Sequence, residues 1–167
     1  MKFLGRKILD SALNSNRSSL NPINKSRILQ TICESNFHKL FRLAPDLPRI
    51  RSKAIANAGG RPALYIRILE RNPYTITLEL THHFEATGNE GGEPAVKVRV
   101  YLDTRSAEVL CDTWRPTVSL VLQKNPAPEI VLDYKWTINY FLERWLDHCI
   151  EQGYCFGRVG VFEPATS

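Results

Sequence analysis

A chain of 167 residues, 43% apolar, 23% charged and 10% aromatic, has the make-up of one globular domain able to bury roughly 68–70% of its unfolded surface. That excludes a collagen-like, a wholly disordered or a disulfide-dense chain, and no run approaches the ~18 uninterrupted apolar residues of a membrane-spanning helix. The net charge of +5 is uneven: residues 1–60 hold eleven Lys/Arg against three Asp/Glu, whereas residues 61–167 hold eleven against fourteen, which sets a basic front on a mildly acidic body.

The opening residues alternate charge with grease (Lys2, Arg6, Lys7, Asp10 among Leu4, Ile8 and Ala12), so no secretory leader is expected there. Residues 1–25 read as a flexible basic arm, rich in Asn and Ser from 14 onward. Ser26 is placed to cap a helix reaching Leu43, whose stripe of Leu29, Ile32, Cys33, Phe37, Leu40 and Phe41 repeats every three or four residues. His38, Lys39 and Arg42 favour its carbonyl end, and Pro45 stops it. Residues 45–61 carry two prolines and a Gly pair and read as a basic connector.

The period then switches to two. Leu64, Ile66 and Ile68 share a face with Ile76, Leu78, Leu80 and Phe84 across a loop at 70–74, with 68 expected opposite 76, 66 opposite 78 and 64 opposite 80. After a Gly-rich loop, Val96, Val98, Val100 and Leu102 form a second hairpin with Ala107, Val109 and Cys111, with 102 expected opposite 107, 100 opposite 109 and 98 opposite 111. Residues 117–122 are expected to add a short edge strand among prolines. A last helix is expected from Tyr134 to Gln152, capped by Asp133 and stopped at Gly153, with Ile138, Phe141, Leu142, Trp145, Leu146 and Cys149 on its apolar side. The sum is an α+β two-layer sandwich: an antiparallel sheet of four to five strands with an N-terminal and a C-terminal helix on one face. The single domain is expected to span 26–153, and 154–167 to form a loosely packed tail.

Three stretches carry a resemblance. They are Cys33-Glu34-x-Asn36-Phe37-x-x-Leu40-x-Arg42-Leu43-x-Pro45, then Val98-Arg99-Val100-Tyr101-x-Asp103-x-x-x-Ala107-Glu108-Val109, then Ile138-Asn139-x-Phe141-Leu142-x-x-Trp145-Leu146-x-x-Cys149 followed by Gly153. With Pro73-Tyr74-Thr75-x-Thr77-Leu78, they resemble, over residues 30–153, the YqiB-like family of small proteobacterial proteins of unknown function. The resemblance implies a cytoplasmic bacterial protein and brings no established activity, cofactor or catalytic residue. Two positions depart from the family pattern: Leu102 stands where a His is usual, and Ile130–Lys135 is greasier than the usual Asp-Glu-Lys approach.

Chemistry-bearing patterns are scarce. Cys33, Cys111, Cys149 and Cys155 form no CxxC pair, and reduced thiols are expected, with Cys33, Cys111 and Cys149 acting as small apolar residues. His82, His83, His148, Cys149 and Cys155 lack zinc-ligand spacing, so no metal is expected. By alternation His82 points inward and His83 outward. There is no GxSxG elbow and no P-loop, and Gly157-x-x-Gly160 lacks the context of a dinucleotide site, so no cofactor is expected and an enzyme is disfavoured.

The outward face of the second hairpin is the main candidate surface. Lys97, Arg99, Tyr101 and Asp103 alternate away from the core and Glu108 answers them, with Tyr101 expected opposite Glu108 and Arg99 diagonal to it. Asp103 is also placed to cap its turn. Asn36 and Asn139, on apolar helix faces, are expected to be structural polar residues that find each other or sheet-end backbone. The leading expectation is a non-enzymatic interaction or regulatory domain that binds a protein, with a second copy of itself as one option, through the polar sheet face and the basic connector. The alternative is RNA or DNA association through Arg49, Arg51, Lys53 and Arg61; a further one is an enzyme or binder for a small anionic ligand.

Overall fold

The computed structural model describes residues 22–82, 95–112 and 126–157. Helix α1 (Pro22–Leu43) is followed by a 3-10 turn (Leu47–Arg49), strands β1 (Lys53–Ala56), β2 (Leu64–Arg71), β3 (Thr75–Thr81), β4 (Ala95–Tyr101) and β5 (Ser106–Asp112), and helix α2 (Pro128–Glu151). The strands form one antiparallel sheet in the order β1-β2-β3-β4-β5. This is the expected α+β sandwich, because alternation places Leu64, Ile66, Leu78, Leu80, Val98 and Val100 on one face, each fully buried against the helices.

The helices run in the same direction side by side. Lys25 pairs with Asp133 near their starts, and Lys39 bridges Glu143 (3.3 Å) and Asp147 (2.8 Å) further on. Their apolar stripes contribute Phe37, Leu40 and Leu43 from α1 and Ile138, Leu142 and Leu146 from α2. Both helices open earlier than expected, at Pro22 instead of Ser26 and at Pro128 instead of Tyr134. A proline suits the first helical position, where no amide donor is needed. Asp133 therefore lies inside α2 and is not its cap.

The carboxyl end of α2 closes as expected. Gly153 adopts φ 81°, and the Tyr154 amide donates to Cys149 O (3.1 Å) while that of Gly153 donates to Ile150 O (3.0 Å), a Schellman arrangement. Tyr154 and Phe156, expected in a loose tail, are instead buried, and the Phe156 amide reaches Leu43 O (2.7 Å).

The strands differ from expectation in three ways. Residues 53–56 of the basic connector form β1, an edge strand too short for its alternation to stand out; the strand expected at 117–122 lies outside the described residues. The first hairpin is displaced by two residues, with Ile66 opposite Leu80 and Ile68 opposite Leu78, and Leu69 is extruded as a bulge. The second is displaced by two in the other sense, with Val100 opposite Ala107 and Val98 opposite Val109, and Leu110 is its bulge. A two-residue slip keeps every side chain on its face, so apolar parity alone cannot tell these registers apart. Each bulge, by contrast, reverses the parity of the strand residues beyond it. Cys111 consequently pairs with Lys97 on the outward face, half-buried, and does not join the core.

Candidate functional site

With both helices on one side, the other face of the sheet presents rows of polar side chains. One row runs Lys53, Arg67, Glu79, Lys97, Cys111 from β1 to β5; the next holds Glu70, Thr77, Arg99 and Glu108; a third holds Thr75, Tyr101 and Ser106. The second hairpin's register changes the expected pairing. Arg99, not Tyr101, stands opposite Glu108, and Tyr101 stands opposite Ser106.

The contacts within this face are specific. Tyr101 OH donates to Glu108 Oε1 at 2.7 Å, along the diagonal, and Glu108 Oε2 lies 3.7 Å from Lys135 Nζ of α2. Arg99 Nε donates to Thr77 Oγ1 (3.3 Å), and its Nη2 lies 4.0 Å from Glu70 Oε2. Arg67 Nη2 donates to both oxygens of Glu79 (3.1 and 3.0 Å). Long side chains thus lie across the sheet, burying Thr77 beneath them although it points outward. Burial, then the bond to Glu108, pushes the Tyr101 phenol above its ordinary pKa, so it remains a neutral donor at physiological pH. Lys97 is exposed, and Asp103 Oδ1 accepts from the Thr104 amide (2.8 Å), which shapes the turn where Arg105 takes φ 51°.

The face is open. A depression of about 180 Å³ between Arg67, Leu69, Glu79, Lys97 and Cys111 is smaller than the roughly 300–1,000 Å³ of a small-molecule pocket. That Lys97, Arg99, Tyr101 and Glu108 point outward was readable from alternation; which residues share a row was not, because rows depend on register. Lys135 was not, because it belongs to the other layer and lies near the start of α2, where its direction depends on how the helix docks.

Asn36 and Asn139 meet in the interior. Asn36 Nδ2 donates to the Asn139 carbonyl (3.2 Å); Asn139 Nδ2 donates back to Lys135 O (2.8 Å), and its Oδ1 accepts the Val109 amide (2.9 Å). Helix α2 thereby occupies a backbone donor on the outer edge of β5. The Cys33 thiol points at the same Oδ1 (3.8 Å) and is pushed up to about 11, by burial first and then by the Glu108 charge. Cys149 is fully buried and pushed up to about 12 by burial. Neither is poised as a thiolate nucleophile at neutral pH.

His82 faces inward, as alternation implied. Its Nδ1 lies 3.2 Å from Ala63 O and its Nε2 lies 3.3 Å from the Trp145 Nε1 donor, a pair of contacts that matches the tautomer with its hydrogen on Nδ1. Tyr154 packs against the same ring and donates to Pro62 O (2.6 Å). These contacts make His82 a clamp between β3, the approach to β2 and α2. His83 lies outside the described residues, and among the described residues no group of three His, Cys, Asp or Glu could hold a metal.

The basic set lies at the opposite edge of the sheet from Glu108. Arg49 ends the 3-10 turn, Arg51 and Lys53 lead into β1, and Arg61 closes the turn after it; all four are exposed. No helix of the described residues is long and apolar enough to cross a membrane.

No curated protein and no solved structure matches the chain. The model of one family, described as a protein of unknown function (DUF1249), matches residues 39–155. That span takes in the end of α1, the whole sheet and α2, and the chain belongs to this DUF1249 family.

Proposed function

We propose that this protein is a non-enzymatic, cytoplasmic interaction domain of the YqiB-like, proteobacterial kind, docking a protein partner on the outward face of its sheet. The observation that carries the reading is the one-sidedness of the layers: among the described residues both helices cover one face, and the other is an open lattice of ordered polar side chains. Arg99, Tyr101 and Glu108 are its central contacts, with Lys97 beside them and Asp103 holding the turn. Pre-ordered pairs lose little side-chain entropy on binding, and a shallow, extended face suits a protein surface of mixed charge better than an enclosed small molecule.

The test is affinity capture from a bacterial lysate with the wild type and with Arg99→Ala/Glu108→Ala, after matching their thermal melts. Polypeptides retained by the wild type and lost by the double variant are the expected result. Identical partner lists overturn the proposal.

A further inference from the structure

We infer that the outward edge of β1, a strand that among the described residues pairs with β2 alone, takes an acidic, extended polypeptide segment as an added strand. This goes beyond the docking face around Arg99, which lies on the β4–β5 side of the sheet, whereas β1 is the opposite edge.

The two edges of the sheet are treated differently. On β5 the outward amide of Val109 is taken by Asn139 Oδ1 (2.9 Å), so a helix occupies a donor of that edge. Among the described residues β1 pairs with β2 alone. The Ile68 amide donates to Ser52 O (2.7 Å), which marks 52 and 68 as a hydrogen-bonded pair. Bonded and non-bonded pairs alternate in an antiparallel ladder, so 54 with 66 and 56 with 64 are bonded, and the N–H and C=O of Ile55 point away from β2. The Ile55 side chain is 56% exposed on the outward face, opposite half-buried Tyr65. An exposed apolar residue with its backbone groups directed outward, on an edge strand, is the template that strand addition uses.

Charge selects the occupant. Arg49, Arg51 and Lys53 stand before and on β1 and Arg61 just after it, all exposed, while the sole acid between 45 and 61 is half-buried Asp46. A second copy of β1 would bring like charges together. A nucleic acid could meet the cations, but its backbone has no alternating N–H and C=O groups with which to continue a ladder from Ile55. An extended peptide with acidic residues flanking an apolar one satisfies both the ladder and the charges.

The probe is a fluorescein-labelled peptide alternating Asp or Glu with Val, with the same peptide N-methylated at every residue, its Lys-for-acid counterpart and a fluorescein-labelled oligouridylate as comparisons. The wild type is expected to bind the acidic peptide at least about tenfold more tightly than the N-methylated or Lys forms, since each lost backbone bond is worth a factor of several. Ile55→Pro removes an outward-facing amide and the exposed side chain while sparing the bonds to β2, which an edge strand tolerates, and is expected to weaken binding about tenfold. Arg51→Glu is expected to weaken it several-fold at low salt and less at high salt. Arg99→Ala/Glu108→Ala is expected to leave it unchanged, which separates this site from the proposed docking face. No binding of the acidic peptide at millimolar concentration, equal binding of the N-methylated form, or preference for oligouridylate overturns the inference. The N-methylated peptide keeps the test decisive on the wild type even if Ile55→Pro does not fold.

Discussion

Asn139 shows how one residue can join two layers. Its side chain accepts from the β5 edge, donates to its own helix at Lys135, and its carbonyl receives Asn36. All of this is buried, so truncation leaves the Val109 amide without its acceptor in an apolar setting. Asn139→Ala is expected to lower stability by about 2–3 kcal/mol, on the scale of an orphaned buried donor, as read from urea unfolding; a loss below about 0.5 kcal/mol would mean the amide is not holding the edge. The thiols give a second expectation. At neutral pH Cys155, exposed, is expected to be alkylated first, while Cys149 reacts only when the protein opens. Below about pH 9 Cys33 and Cys149 are protonated in both folded and unfolded chains; above it they ionise in the unfolded chain but keep their protons in the fold to about 11 and 12. The unfolded state then binds fewer protons, so stability falls as pH rises beyond 9. The raised phenols of Tyr101 and Tyr154 act in the same direction at higher pH. Urea midpoints measured from pH 8 to 10.5 check the sign, and a rise would contradict it.

Individual elements were legible in the sequence to the extent that their apolar periods were long. The stripe from Ile32 to Leu43 and that from Ile138 to Cys149 marked two helices, and period-two runs marked four strands with their inward faces, except at Cys111 beyond the second bulge. Registers were not legible, since a shift of two residues preserves every face. Nor were the bulges, because Leu69 and Leu110 carry no turn chemistry that distinguishes them from strand residues. The helix starts were misplaced because Pro22 and Pro128 read as breakers when they stand at first turns. Gly153 was legible, and it makes a sharp element-scale prediction. An added Cβ there meets nothing within 4 Å, so the penalty comes from its φ of 81° alone. Gly153→Ala is expected to cost about 1–2 kcal/mol, seen as a lower thermal midpoint with unchanged helicity; an unaltered midpoint would show that the left-handed cap is dispensable.

Across the whole molecule, the division of labour depends on which side each layer covers. Helix α2 meets the inner face through its apolar stripe, caps β5 through Asn139 and reaches the outward face with Lys135 beside Glu108. The sequence could place Arg99, Tyr101 and Glu108 together because alternation is local, but it could not supply Lys135, whose position depends on packing between layers. Partner docking on the outward face is the claim on which the functional account turns, and cross-linking tests it most directly. A photo-reactive benzoylphenylalanine at exposed Lys97 on that face, or at exposed Arg144 on α2, can be irradiated in cells expressing the full chain. The account predicts discrete protein adducts from position 97 and none from position 144. Adducts from the helix layer with none from position 97 would contradict it.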